Sequence, residues 1–264
     1  MLDAKLALVT GAGQGIGRAI ALEMARQGAT GVAVADRDPN TAAETAELVR
    51  DAGAEAAAIV CDVRDRDQVE AMVARAVEDL GGLDVLVNNA GVIETSLTSE
   101  TAIDTLPEEV WDAVYEINLK AVWLATKFAA PHLRRSTRGP SILNTASVSG
   151  LTGFPLAPIY GTSKGGVVQL TKVTAVDLAP HVRCNCFCPG VIETPLARGH
   201  MQAGEDAAAR ERELLAPQLV DRLGTPEEVA KLACFLVSDD AGFITGAAYL
   251  IDGGALAWRG VREH

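Results

Sequence analysis

Leu6-Ala7-Leu8-Val9-Thr10-Gly11-Ala12-Gly13-Gln14-Gly15-Ile16-Gly17-Arg18-Ala19-Ile20-Ala21-Leu22-Glu23-Met24-Ala25 decides the fold of this 264-residue chain. The apolar run reads as a strand, the glycines as a turn, and the spacing of apolar residues after them as a helix. Without Cβ atoms the glycines let backbone approach a pyrophosphate, and a helix N-terminus offers it unpaired N–H groups and a partial positive charge. Glycine marks ordinary loops as well, so what surrounds the turn matters.

Outward from there, Gly31-Val32-Ala33-Val34-Ala35-Asp36 is a second apolar strand. It ends in an acid about twenty residues past the glycines, where a carboxylate hydrogen-bonds adenosine ribose hydroxyls and repels a 2′-phosphate. Gln14 brings no cation to the loop, and Arg37 is as well suited to lying flat on an adenine as to meeting a phosphate. This points to NAD over NADP. Asp38-Pro39-Asn40 follows at once, so a turn or helix-capping role is the alternative for Asp36.

Further strands are expected near 56–61, 84–88, 140–146, 181–188 and 247–251, with helices near 41–52, 66–80, 108–136, 159–179 and 226–237. Strict alternation with right-handed crossovers implies an α/β fold: a Rossmann-type doubly wound parallel sheet of about seven strands, helices on both faces, ligands at the strand C-terminal ends. Asp62, Asn88-Asn89-Ala90-Gly91, Ser147 and Pro189-Gly190 all fall at those ends. Each is also a turn former; it is their shared edge that suggests a site.

Tyr160 and Lys164 are four residues apart, a spacing that stacks both side chains on one helix face. Chance pairing of the three tyrosines with the lysines at this offset predicts about 0.07 occurrences. A phenol is a poor base at neutral pH, but a neighbouring ammonium favours its ionised form, so lysine can turn tyrosine into a proton shuttle.

Residues 1–264 show no linker, low-complexity stretch or internal repeat, so one domain is expected. At 4% aromatic and 48% hydrophobic, the core must be built from Ala, Val, Leu and Ile. The first strand begins almost at once and no long apolar span occurs, pointing to a soluble, cytoplasmic protein. A net charge of −12 disfavours nucleic acid and anionic membranes as partners. Cys184, Cys186 and Cys188 alternate along one strand face, where parallel side chains do not converge on zinc; they read as small buried hydrophobes, and no metal site is expected.

Thr10 to Gly17, Asn88 to Gly91, Asn118, Ser147, Tyr160 with Lys164, Pro189-Gly190 and Ile251-Asp252-Gly253-Gly254 stand in an order that closely resembles a classical short-chain dehydrogenase/reductase over nearly the whole chain. On that resemblance Tyr160 is the general acid/base, Lys164 lowers its pKa and holds the nicotinamide ribose, and Ser147 hydrogen-bonds the substrate oxygen. Asn118 matches the asparagine that anchors a water relay to the lysine; as a mid-helix Asn its alternative is a kink. The resemblance also places Gly11, Gln14, Gly15, Ile16, Asp36 and Arg37 along the cofactor. Asp62 and Val63 would flank the adenine, Asn89, Ala90 and Gly91 would line the cleft, Pro189, Gly190 and Ile192 would pass beneath the nicotinamide, and Thr194 would meet its carboxamide.

Hydride transfer between a secondary alcohol and NAD follows, without metal, with a small hydroxy acid, polyol or cyclic alcohol as substrate. The 183–190 segment with Thr194-Pro195-Leu196 resembles the 3-hydroxybutyrate branch. Residues 193–220 are expected to form a lid, their charges serving otherwise as a solvated face, with Val148, Ser149, Leu151, Phe154 and Leu196 lining an apolar pocket. Phe154 beside Pro155 has a core role as its alternative. The Glu94 to Thr105 segment, longer than in the shortest family members, and the tail past Gly254 bear on specificity and on a neighbouring subunit, a homotetramer being the family expectation. Two other functions stay open: a 3-oxoacyl-acyl-carrier-protein reductase, with Arg134, Arg135, Arg138 and Lys172 facing an acidic partner, and a non-catalytic NAD-binding scaffold or sensor.

Overall fold

The computed structural model describes residues 2–202 and 207–258. Strands β1 (Leu6–Thr10), β2 (Gly31–Asp36), β3 (Glu55–Val60), β4 (Val85–Asn88), β5 (Ser141–Thr145), β6 (Arg183–Pro189) and β7 (Ala248–Ile251) form one parallel sheet in the order β3-β2-β1-β4-β5-β6-β7. Between them run α1 (Gly15–Arg26), α2 (Pro39–Asp51), α3 (Arg66–Leu80), α4 (Glu108–Tyr115), α5 (Ala121–Leu133), α6 (Pro158–Leu178), α7 (Pro195–Gln202), α8 (Ala207–Leu215) and α9 (Pro226–Val237). The order reverses between β1 and β4, and a doubly wound sheet opens a crevice at that point.

Both faces of the sheet are covered, which is why the central strands read as unbroken apolar runs. Ala7, Val9, Val32 and Val34 point into one core with α1, α2 and α9; Leu6, Leu8, Ala33 and Ala35 point into the other with α3 and α5. Cys184, Cys186 and Cys188 are buried on one face of β6, as the alternation implied. Among the described residues no helix is long and apolar enough to cross a membrane.

The turn after β1 is held by side chains from elsewhere. Arg18 Nε donates to the Gly13 carbonyl at 3.0 Å, and Asn89 Nδ2 reaches the Thr10 and Gly11 carbonyls, each at 3.1 Å. Gly17 lies so close to this bend that a Cβ there would sit 2.2 Å from the Gly11 carbonyl oxygen and 2.5 Å from Asn89 Nδ2. A backbone oxygen cannot swing aside, so Gly17→Ala is expected to cost about 1–3 kcal/mol, as overpacking does. Thermal melts of the variant check this: a Tm equal to wild type would refute it.

One expectation is refined by the structure. The pattern over 108–136 is two helices, α4 and α5, joined by a five-residue π turn, Glu116–Lys120. Asn118 sits in that turn and spends its side chain outside the helix: Oδ1 accepts from the Val92 N–H at 2.9 Å, and Nδ2 donates to the Val92 carbonyl at 2.9 Å. A side chain that bonds away from its own helix at mid-length favours this local widening. After Gly254, Trp258 Nε1 donates to the Pro217 carbonyl of its own chain at 2.9 Å. Residues 259–264, and 203–206 of the 193–220 segment, lie outside the described residues.

Candidate active site

Where the sheet order reverses, a cavity of about 470 Å³ opens at the strand C-terminal edge. One side of its wall comes from the first three strands: Gly11, Gln14, Gly15 and Ile16 after β1, Asp36 and Arg37 at the end of β2, Asp62 and Val63 after β3. The other side is Asn89, Ala90 and Gly91 after β4, Ser147 and Ser149 after β5, Tyr160 and Lys164 on α6, and Pro189, Gly190, Ile192 and Thr194 after β6. Phe154 and Leu196 also line it. Asn118 stays off the wall, behind Gly91: a Cβ built on Gly91 would lie 3.4 Å from both Asn118 Oδ1 and Lys164 Nζ.

Asp36 Oδ2 accepts the Gly13 N–H at 2.8 Å, and Oδ1 accepts the Asp38 N–H at 3.1 Å. The carboxylate therefore braces the glycine loop, while Asp38 caps α2 by accepting from the Asn40 N–H. At the start of α1, Gln14 supplies no side-chain cap, so the N–H groups of the first turn keep their donor capacity toward the cavity. Asp62 is held by Arg64 through both carboxylate oxygens, and this hydrogen-bonded guanidinium keeps its carboxyl below the usual range.

The chemistry-bearing groups meet because a 3-10 turn, Val148–Gly150, lies flat on α6. Gly150 makes that approach feasible, since a Cβ there would stand 2.6 Å from the Lys164 carbonyl carbon. Ser147, buried at the head of the turn, lines the same cavity as the Tyr160 phenol and sits near enough to act on its proton. Lys164 is only 3% exposed; its Nζ donates to the Thr145 carbonyl at 2.8 Å and stands 5.7 Å from the Tyr160 ring centre. Among the protein's own groups the net shift of the phenol is upward. Burial pushes the phenol up, the nearby Ser147 hydroxyl pulls it down in part, and the charge of Glu94 adds to the rise. Burial also loosens the Lys164 proton, to about 8. Spacing on a helix reveals who the neighbours are, whereas desolvation depends on what the fold lays over them.

A family model described as enoyl-(acyl carrier protein) reductase matches residues 11–255. Cyclopentanol dehydrogenase of a Comamonas species is 38% identical over 254 residues, 96% of this chain and 97% of that one. The chain belongs to the short-chain dehydrogenase/reductase family. A 3-oxoacyl-(acyl-carrier-protein) reductase of Thermotoga maritima is 37% identical, over 96% of this chain and 98% of its own. The solved structure of levodione reductase superposes with a TM-score of 0.90 at 31% identity, covering 98% of this chain and all of that one.

As a short-chain dehydrogenase/reductase the chain is an oxidoreductase, and its family generally binds NAD or NADP. Its cavity wall also includes residues the sequence did not single out: Ile93, Ser96, His200 and Leu214. His200, on α7, hydrogen-bonds Thr95 Oγ1 through Nδ1 at 2.9 Å and tilts against Phe154, ring centres 6.4 Å apart. Only the fold brings 95 and 200 together, so nothing local in the sequence signals the pair. Val148 and Ser149 join the wall as expected, but Leu151 is 44% exposed and lies off it, because the 3-10 turn ends there.

Proposed function

We propose that this protein interconverts a secondary alcohol and a ketone with NAD as cofactor, acting on a cyclic or other small alcohol. The observation that carries the reading is the grouping of Ser147, Tyr160 and buried Lys164 on one wall of the cavity that the glycine loop also lines. The donor set suits a dinucleotide: free N–H groups at the start of α1, a carboxylate at Asp36 and a buried cation at Lys164. Gly11, Gln14, Gly15 and Ile16 would hold the pyrophosphate, Asp36 the adenosine ribose and Lys164 the nicotinamide ribose. Bound NAD supplies a hydride acceptor and a positively charged ring near the phenol.

The chain's own groups do the rest. In the oxidative direction Tyr160 Oη takes the carbinol proton as the hydride leaves the carbinol carbon. Ser147 Oγ donates to the same substrate oxygen, steadying its charge during the transfer. Lys164 favours the phenolate. Asn118 is a positioning residue, tying the π turn to Val92 and, at 3.2 Å, to Ser163 on α6.

The walls favour an apolar ring: Ile93, Val148, Phe154, Leu196 and Leu214 line the same cavity as the reacting groups, and a relative acts on cyclopentanol. The Thermotoga relative supports a second reading, reduction of a carrier-bound 3-oxoacyl group, which the net charge of −12 opposes because an acidic carrier would be repelled. The family's tetramer is consistent with exposed Trp123 on α5 and Val173 and Val176 on α6.

The cofactor is tested by Asp36→Asn, which keeps an acceptor for Gly13 and removes the charge. Its kcat/KM ratio for NAD over NADP is expected to fall about 10²-fold, because a charge repelling the 2′-phosphate at close range is worth roughly 1–4 kcal/mol. An unchanged ratio would remove Asp36 as the selector.

A further inference from the structure

Glu94 opens a 3-10 turn, Glu94–Ser96, shortly after Asn89 to Gly91, and is completely buried. Its Oε1 accepts two backbone N–H groups from the first turn of α6, Ile159 at 2.8 Å and Tyr160 at 2.7 Å. Ala157, at the N-cap of α6, provides no side-chain acceptor, so a residue distant in sequence performs the capping. Oε2 is buried with no hydrogen-bond partner among the described groups. Burying a carboxylate with one oxygen unpartnered is costly, and a neutral side chain would cap the same helix at less cost.

We propose that Glu94 is the positioning residue for Tyr160, fixing through the α6 backbone where the phenol meets the substrate oxygen; this rests on Tyr160 being the proton-exchanging group. The turn is anchored on both sides of this contact. Val92 is bonded to Asn118, and Thr95 to His200 on α7, so Glu94 has little freedom to follow α6 if the helix end shifts. The phenol is faced by Lys164 from its own helix, by Ser147 from the end of β5 and by Glu94 from this turn. His200 lines the same cavity from α7, and Cys186 and Cys188 on β6 stand near Lys164. In this setting the Glu94 charge opposes phenolate formation.

The test compares Glu94→Ala and Glu94→Gln with wild type and Tyr160→Phe, using NAD and the best alcohol from a screen. Glu94→Ala is expected to lose about 10²-fold in kcat, the scale of a small misplacement of a reacting group, with NAD affinity by fluorescence titration within about two-fold. Glu94→Gln, whose amide oxygen still accepts both N–H groups, is expected to recover most of kcat. Its acid limb in the kcat–pH profile should move to lower pH, since the charge opposing the phenolate is gone. If Glu94→Ala does not fold, the Glu94→Gln profile decides alone. An unmoved limb, a Glu94→Gln variant as slow as Glu94→Ala, or a fully active Glu94→Ala overturns the proposal. Wild-type turnover by Tyr160→Phe overturns both this and the function it rests on.

Discussion

Tyr160→Phe is expected to lower kcat for alcohol oxidation with NAD by about 10³-fold at neutral pH, within the range that positioned acid–base groups contribute. The substitution deletes one oxygen and keeps the ring, so packing against α6 and Lys164 is preserved and NAD affinity should stay within about two-fold. The lost atom is the one whose proton Ser147 influences and that would accept the carbinol proton. In wild type, burial raises the phenol above its ordinary value, so the phenolate fraction, and with it the oxidation rate, climbs with pH. That limb should vanish in the variant. Steady-state kinetics across pH measure both effects, and a variant that retains turnover and the limb would move the proton transfer elsewhere.

Lys164→Met should separate activity from stability. The methionine fills nearly the same volume, but the buried cation and its bond to the Thr145 carbonyl are gone. A loss of about 10²-fold in kcat/KM is expected, with the acid limb moved to higher pH because nothing cationic from the protein now favours the phenolate. Folding stability should hold or rise, since a charge buried without a counter-charge is destabilising. The sign with pH follows from the lysine's depressed folded-state value of about 8 against 10.5 unfolded. Between those two values the unfolded chain binds more protons than the folded one, so wild-type stability gains as pH rises through that window. The Tm gap between variant and wild type should therefore narrow from about pH 8 upward. A gap independent of pH, or a less stable variant at pH 7, would contradict the burial argument.

Much of this was readable from the chain because it rests on local periodicity. β1, the glycine loop and α1 follow from twenty consecutive residues, and the seven strands fall within a residue or two of their expected places. Cofactor and catalytic candidates were legible because a parallel sheet delivers every strand end to one edge. What escaped depended on approach across the fold. Glu94 lay in a stretch read as bearing on specificity, although an acid directly after Val92-Ile93 in an apolar context was a usable signal of burial. His200 belongs to the wall only because α7 folds over Thr95. The tyrosine's pKa could not be read from spacing, because lysine and tyrosine are both desolvated by elements far away in sequence.

The π turn at Glu116–Lys120 also acts as a phase marker. One residue advances an α-helix by 100°, so a turn holding an extra residue rotates everything after it by more than a quarter of a revolution relative to everything before. α4 turns Val110 and Val114 toward Ile159 on one side of that offset, and α5 turns Leu124 and Leu133 into the sheet core on the other. A uniform helix would satisfy one of these two stripes and expose the other. The widened turn lets one continuous rod serve two cores that are out of step, with Asn118 at the point where the mismatch is absorbed.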